Sequence, residues 1–392
     1  MAEREVFIMA RLGDTGKIIT GNTPKTSEAL NYSSNDICFV KPSDILDGEI
    51  TVITDSEFYI SNHARDKARI LPPKSVLVTC IGIIGKVAIN NVECAFNQQI
   101  NAIVPDTTKC LTEYLAYAIQ NKQIEMQDIA NAPVVPILNK TQFSEIEIQL
   151  PSVESQAEVV KKMRAVDVLI SLRKQQLSKL DELVKSRFVE LFGNTKNKVP
   201  VGEMCNVTGG YSFKSGDISN DGAIKILQIG NVYLDNVNWD TINYLPEGYD
   251  EKYSRFLLNE GDIVVALTRP IIQSLGNVKA CIVKSSDLPC LLNQRVGRIV
   301  TKEDKSVLLE FIYGCLMTDD FTRYVESCSI GCSQPNISTK DIENYLIPSA
   351  TYEEQMEYVE FKKQTDKSKF EIHKSLEKLE ILKKALMQQY FG

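Results

Sequence analysis

The chain has 392 residues, 43% of them hydrophobic and 24% charged, and a formal net charge of -7. That length exceeds one ordinary domain and predicts two or three of a globular protein. An acidic balance argues against a simple nucleic-acid binder, and no run nears the roughly 18 apolar residues of a membrane span.

In chain order, Met1-Ala2-Glu3-Arg4-Glu5 lacks the apolar core of a signal peptide. The ten cysteines contain no Cys-x-x-Cys pair, so Cys38, Cys80, Cys94 and Cys281 read as reduced, half-buried apolar residues, and the chain as cytoplasmic. Residues 1–150 read as a mixed, strand-rich domain. Ser75 to Thr79, Val87 to Ile89 and Asn101 to Val104 are short β-branched runs, and Thr112–Gln127 suits a helix. Residues 151–193 follow the helix-excluding Pro151 with apolar residues at Val159, Met163, Val166, Ile170, Leu177, Leu180, Val184 and Leu191, the heptad-like spacing of one helical face. Residues 194–350 repeat the mixed pattern, with a strand in Gly261 to Thr268 and a helix near Ser306–Glu326. Residues 351–392 form a second long helix, striped by Ile372, Leu376, Leu379, Leu386 and Tyr390. A helix of about 38 residues runs roughly 57 Å. A narrow stripe on so long a rod needs a partner, and the other long helix is the economical one. The acidic excess lies in the domains, with 13 basic and 18 acidic residues in 1–150 and 15 and 19 in 194–350.

An ordered series of matches joins the two halves. Leu180-Asp181-Glu182-Leu183 through Leu191-Phe192-Gly193 answers to Leu379-Glu380-Ile381-Leu382 through Tyr390-Phe391-Gly392. Upstream, Leu150-Pro151-Ser152 matches Ile347-Pro348-Ser349, Gln156 matches Gln355, and Asn139 and Asn336 precede their prolines by the same distance. Within the domains, Phe39 to Ile45 resembles Ile226 to Val232, Leu71 to Val78 resembles Leu258 to Val265, Gly85-Lys86-Val87 resembles Gly276-Asn277-Val278, and Asn97-Gln98 repeats as Asn293-Gln294. Matches in one order with a slowly drifting offset mean duplication. The expected fold is α/β (mixed α+β): two similar globular domains with two long antiparallel helices as a coiled coil, related by an internal pseudo-twofold repeat.

Catalytic chemistry has few carriers. His63 and His373 are the only histidines, one in a polar stretch and one on a charged helix. Cys328 and Cys332 lack the second ligand pair that structural zinc requires. Gly82-Ile83-Ile84-Gly85-Lys86 and Gly13-Asp14-Thr15-Gly16-Lys17 both miss the Gly-x4-Gly-Lys-Ser/Thr spacing of a phosphate loop. No catalytic and no metal-ligating residue is assigned.

The duplicated helix endings, the entries at Pro151 and Pro348, the two Asn-Gln pairs, and the turns Gly21-Asn22-Thr23-Pro24 and Gly209-Gly210-Tyr211-Ser212-Phe213 resemble the specificity subunit of type I restriction-modification systems. The resemblance covers nearly the whole chain. It implies a target recognition domain at 1–150, a central spacer helix at 151–193, a second recognition domain at 194–350 and a C-terminal spacer helix at 351–392. Each domain would read one half of a split double-stranded DNA sequence, with the helices setting the gap and docking two modification (methyltransferase) subunits. Those would methylate adenine with S-adenosylmethionine, and a restriction motor-nuclease subunit would use ATP and Mg2+; this chain would bind no cofactor. Two departures stand out: Gly21-Asn22 in place of a Gly-Gly pair, and a loop from Thr268 to Gly276 longer than Thr79 to Gly85.

Base reading needs Arg or Lys for guanine and Asn or Gln for adenine. Lys25 and Lys214 follow equivalent glycine turns, Lys41 and Gln228 occupy matching strand ends, and Thr79, Lys86, Thr268, Arg269 and Gln273 lie in the glycine-bearing loops. Arg295 is a candidate phosphate contact. Asn97, Gln98, Asn293 and Gln294, identical in both halves, suit a shared turn or a DNA-backbone contact instead. Two other readings stay open: a coiled-coil scaffold with two peptide-binding domains, and an enzyme of unrecognised chemistry. Loop divergence on a common frame favours the DNA reading over the first, and the scarcity of histidine weighs against the second.

Overall fold

The computed structural model describes residues 8–130, 135–328 and 336–392. They form two compact units, Met1–Lys174 with Lys374–Gly392, and Gln175–His373. Each unit therefore takes one globular domain together with half of each long helix.

The first unit is built on a five-stranded sheet in the order Gly16–Thr20, Ile100–Pro105, Val76–Thr79, Val87–Asn90 and Ile50–Ile53. A four-stranded sheet follows the order Tyr59–Ile60, Ile37–Val40, Cys94–Phe96 and Ile70–Leu71, its central pair parallel. Val76–Thr79 is buried on both faces, so its sequence is a continuous apolar run rather than an alternating one. Val76 and Val78 pack on Tyr114, Leu115 and Ala118 of α1 (Thr112–Asn121), while Leu77 faces Val40, Phe96 and the second sheet. Helix α2 (Gln123–Ile129) follows after a break at Lys122, and α3 (Lys140–Glu145) starts on Asn139, whose side chain accepts from Gln142 N at 2.9 Å.

Helix α4 (Val153–Phe192) has 40 residues with no proline or internal glycine, and begins on Ser152, whose Oγ accepts from Ser155 N. In the first unit its Val159, Val160 and Met163 join the core under α1. In the second unit its far end supplies Phe188 and Phe192.

The second unit repeats the plan. A four-stranded sheet runs Cys205–Gly209, Val296–Thr301, Ile263–Ala266, Ala280–Ile282, beside a three-stranded one ordered Asn243–Leu245, Ile224–Leu227, Cys290–Leu292. In the latter the Ile224–Leu227 and Cys290–Leu292 strands are again parallel. Short helices α5 (Val201–Met204) and α6 (Tyr249–Lys252) precede α7 (Leu309–Leu316), α8 (Asp319–Cys328) and α9 (Thr339–Asn344). The predicted single helix near Ser306–Glu326 is thus two, broken at Met317-Thr318. Ile263 and Val265 face Phe311 and Ile312 of α7, and Val264 faces Leu227 and Leu292. Helix α10 (Tyr352–Phe391) opens with a capping box in which Thr351 and Glu354 exchange bonds.

The repeated glutamines explain how each long helix is fixed to its domain. Gln156 Oε1 accepts from Leu111 N at 2.8 Å, and Gln355 Oε1 accepts from Leu308 N at 2.9 Å. Both side chains are buried and bridge the start of a long helix to the start of α1 or α7. Within each unit the two long helices run antiparallel. In the first, Asp167 pairs with Lys383 at 2.7 Å and Lys162 bonds Tyr390; in the second, Asp181 pairs with Lys369 and Arg187 with Glu357. The seam is more polar than the heptad stripe predicts, because α10 turns Lys362, Lys369 and Lys383 inward with their stems half-buried. Long aliphatic stems cover apolar surface while the ammonium reaches a carboxylate.

Candidate nucleic-acid interface

Equivalent turns lie where the two sheets of each domain meet. In the first domain Asn97 N donates to Val40 O at 3.2 Å, tying the turn to one sheet, and Gly21 N donates to Ile100 O at 3.0 Å, tying it to the other. In the second domain Asn293 N donates to Leu227 O at 3.1 Å and Gly210 N to Val296 O at 3.0 Å. A Cβ on Gly21 would stand 2.0 Å from Asn97 O, and one on Gly210 would stand 2.1 Å from Asn293 O. Only glycine permits this approach. The strand register pairs Thr20 with Asn101 and Gly209 with Gly297, so Gly21 corresponds to Gly210 and Asn22 to Tyr211. The glycine at the close approach is kept, and the sequence match is one residue out of register: Gly209-Gly210 corresponds to Thr20-Gly21, so the departure from a Gly-Gly pair falls at Thr20.

The first turn is held by side chains of its Asn-Gln pair, and the second by main-chain bonds of its pair. Asn97 is buried, accepts from Gln99 N at 3.1 Å and donates to Gln99 Oε1 at 2.9 Å. Gln98 is exposed and accepts from Thr23 Oγ1 at 2.7 Å. Gln294 N donates to Tyr211 O at 3.0 Å, and Asn293 O accepts from Val296 N at 3.0 Å.

Lys25 and Lys214 are exposed and each opens a tight turn, with Lys25 O accepting from Glu28 N and Lys214 O from Asp217 N. Lys41 and Gln228 sit on superimposable frames: Lys41 N donates to the Asp44 carboxylate at 2.7 Å and Gln228 N to the Asn231 amide at 2.9 Å. The Lys41 ammonium lies over the Phe58 ring, 3.0 Å from its centroid, and Gln228 Oε1 accepts from Asn243 Nδ2 at 2.6 Å.

The glycine-bearing loops differ more. Thr79 is fully buried; its hydroxyl donates to Ile83 O at 2.6 Å and accepts from Lys86 N at 3.0 Å, which makes it an internal brace of its loop. The Lys86 ammonium donates to Pro42 O and Ile45 O, holding the loop to the second sheet. Thr79 N bonds Lys86 O as Ala266 N bonds Lys279 O, so the counterpart of Lys86 is Lys279 and not Asn277. The hairpin Ile271–Ile272 with Asn277–Val278 is the insertion that displaces it. Thr268 forms a bridge to Asn336, Arg269 takes a left-handed backbone (φ 48°), and Gln273 is exposed at the hairpin.

In the second domain the Gln228 strand end and the Asn293 turn, and not the Thr268–Gln273 segment, line a cleft of about 440 Å³ with Gln228, Asn231, Asp240, Asn293, Gln294 and Arg295. Four of the predicted site residues thus meet in one place. Sequence comparison missed Gln99, the structural counterpart of Arg295: Cys80 N donates to Gln99 O as Leu267 N donates to Arg295 O. The two types differ, so identity between the halves gave no signal there.

Burial pushes the Cys80 thiol up to about 11 and those of Cys94, Cys110, Cys205 and Cys281 to about 12. Such thiols stay protonated near neutrality and are poor nucleophiles. Cys332, the second half of the Cys-x3-Cys spacing, lies outside the described residues; among those described, no cluster of three or more potential metal ligands occurs. No helix among the described residues is long and apolar enough to cross a membrane.

A domain–helix unit built twice, with one turn geometry carrying different polar side chains, defines an internally duplicated protein. Residues 6–182 and 194–383 each match the family described as type I restriction modification DNA specificity domain, and the chain belongs to that family. It is 32% identical over 308 residues to the type I restriction enzyme MjaVIII specificity subunit of Methanocaldococcus jannaschii, covering 74% of this chain and 70% of that one. It is 33% identical over 157 residues to the EcoAI specificity subunit of Escherichia coli, a match spanning 40% of this chain and 26% of that protein. The fold matches that of the S subunit from M. genitalium with a TM-score of 0.56 at 13% identity, covering 100% of this chain and 98% of the other. A chain from a type I R-M system structure gives 0.59 at 16% identity, with 99% and 98% covered.

Proposed function

We propose that this chain is the non-catalytic DNA-specificity subunit of a cytoplasmic type I restriction-modification complex. Each domain reads one half of a split double-stranded target, and α4 and α10 set the gap between the halves. The observation that carries the reading is one backbone frame built twice, with Gly21/Gly210 and Asn97/Asn293 retained while exposed side chains around them differ. Retained framework with divergent polar contacts suits two readers of different sequences, because phosphate contacts position and base contacts specify. Lys25 and Lys214, cations at equivalent exposed turns, are suited to phosphate. Linking two readers also raises affinity through effective concentration.

The long helices dock two modification subunits. Supporting this, α4 and α10 expose Val168, Leu172 and Ile381 in the first unit and Val189 and Phe370 in the second. Exposed large apolar side chains on otherwise charged helices suit a protein partner. The modification subunits bring S-adenosylmethionine, and a restriction motor-nuclease brings ATP and Mg2+; this chain binds none of them. Partner surfaces supply the positive charge that an acidic chain lacks.

The test is selection from a randomised duplex pool by the chain assembled with an adenine methyltransferase partner. The expected result is two short segments at one fixed gap, only one of which changes when residues 1–150 are replaced by another recognition domain. Absence of sequence preference, or change in both segments, contradicts the reading.

A further inference from the structure

The duplication separates side chains that hold the DNA from side chains that distinguish it. A phosphate is the same in every sequence, so a phosphate contact has no reason to differ between two domains sharing one frame. A base contact must differ wherever the half-sites differ. Lys25 and Lys214 belong to the first kind. Gln99 and Arg295 belong to the second: each sits two residues after the shared asparagine, and each carbonyl accepts from the equivalent strand end, Cys80 N at 2.8 Å and Leu267 N at 2.9 Å.

The surroundings of Arg295 favour a base edge over a phosphate. Its side chain is exposed and its guanidinium has no partner among the described residues. Asp240 lines the same cleft and would repel a phosphate. A carboxylate there is the type of group that accepts from cytosine N4, while a guanidinium forks onto guanine O6 and N7. Gln228, also on the cleft, keeps its amide NH2 available because its Oε1 is the atom engaged by Asn243. In the first domain Gln99 uses its Oε1 on Asn97, which leaves its NH2 as the presenting group.

We propose that Gln99 and Arg295 are the equivalent base-reading positions of the two domains, with Arg295 specifying a guanine within the second half-site. The proposal rests on the split-target reading above.

The test compares the wild-type chain with Arg295→Gln and Arg295→Ala, each assembled with the methyltransferase partner and offered a randomised duplex pool at several salt concentrations. Expected is loss of one G·C preference in a single half-site, with roughly 10- to 100-fold less discrimination at that pair and the other half-site unchanged. The unchanged half-site also reports that the variant complex is folded and assembled. Three results overturn the assignment: an intact consensus; a consensus altered in both halves; or uniform weakening across all sequences with a salt slope smaller by about one, the mark of a phosphate contact. If the wild-type complex itself selects no split sequence, the underlying reading fails, and this assignment fails with it.

Discussion

Phe192→Ala is expected to destabilise the second unit by about 4 kcal/mol, the middle of the range for a buried aromatic. Phe192 is 3% exposed and lies 5.0 Å from Phe188, 5.0 Å from Phe311 and 6.2 Å from Tyr358, centroid to centroid. It joins the end of α4 to the start of α10 and to α7. Backbone on three helices limits collapse into the space left behind, so the cavity cost adds to the lost burial. Its repeat partner Phe391 has a leaner setting, with Tyr114 at 5.1 Å and Tyr117 at 6.4 Å, and Phe391→Ala should cost less. Hydrogen exchange checks both: Phe192→Ala should speed exchange in Ile263–Ala266 and α7 and leave Val76–Thr79 protected. Equal loosening of both domains would contradict two separately stabilised units.

Gly210→Ala is expected to cost roughly 3 kcal/mol, at the upper end for overpacking, because the three atoms its Cβ would first meet are all backbone. Asn293 O would lie at 2.1 Å, Asn293 C at 2.4 Å and Leu292 O at 2.5 Å, and those groups are fixed by the ladder of two sheets. A flexible side chain would move aside; a carbonyl in a turn cannot without losing its bonds. Gly230→Ala is the control, since its Cβ meets nothing within 4 Å, and it should stay within about 0.5 kcal/mol of wild type. Urea denaturation followed in both variants decides the matter. Equal midpoints would show that the turn tolerates a side chain and is not a rigid frame.

The long helices are legible because nothing interrupts them: no proline and no internal glycine over 40 residues each, with an apolar stripe along α4 and the second half of α10. The duplication was legible for a related reason, since caps, helix ends and turns impose the same residues wherever the same geometry recurs. Strand positions could be read from β-branched runs, but not their division into two sheets. Val76–Thr79 is apolar throughout, and alternation cannot reveal which residue faces which layer. The one-residue slip at Gly21 and the pairing of Lys86 with Lys279 depend on hydrogen-bond register, which residue identity alone misaligned. Thr79 ends an apolar strand and also opens the glycine-bearing loop, and only its bonds to Ile83 O and Lys86 N show that it braces the loop from inside. Gln99 gives no signal in a comparison of the halves because its counterpart Arg295 is a different residue type. The polar seam was missed because inward lysines look like surface lysines until their carboxylate partners are placed.

The central claim is that α4 and α10 set the gap between two half-sites, and shortening both tests it most directly. Removing one heptad from each, within Ala165–Leu183 and at the facing turns of α10, keeps the buried stripe in phase while withdrawing roughly 10 Å of helix. At about 3.4 Å per base pair, the selected gap should contract by two to three base pairs, with both half-site sequences intact. An unchanged gap in an assembled, sequence-selective complex would show that something other than the paired helices measures the distance.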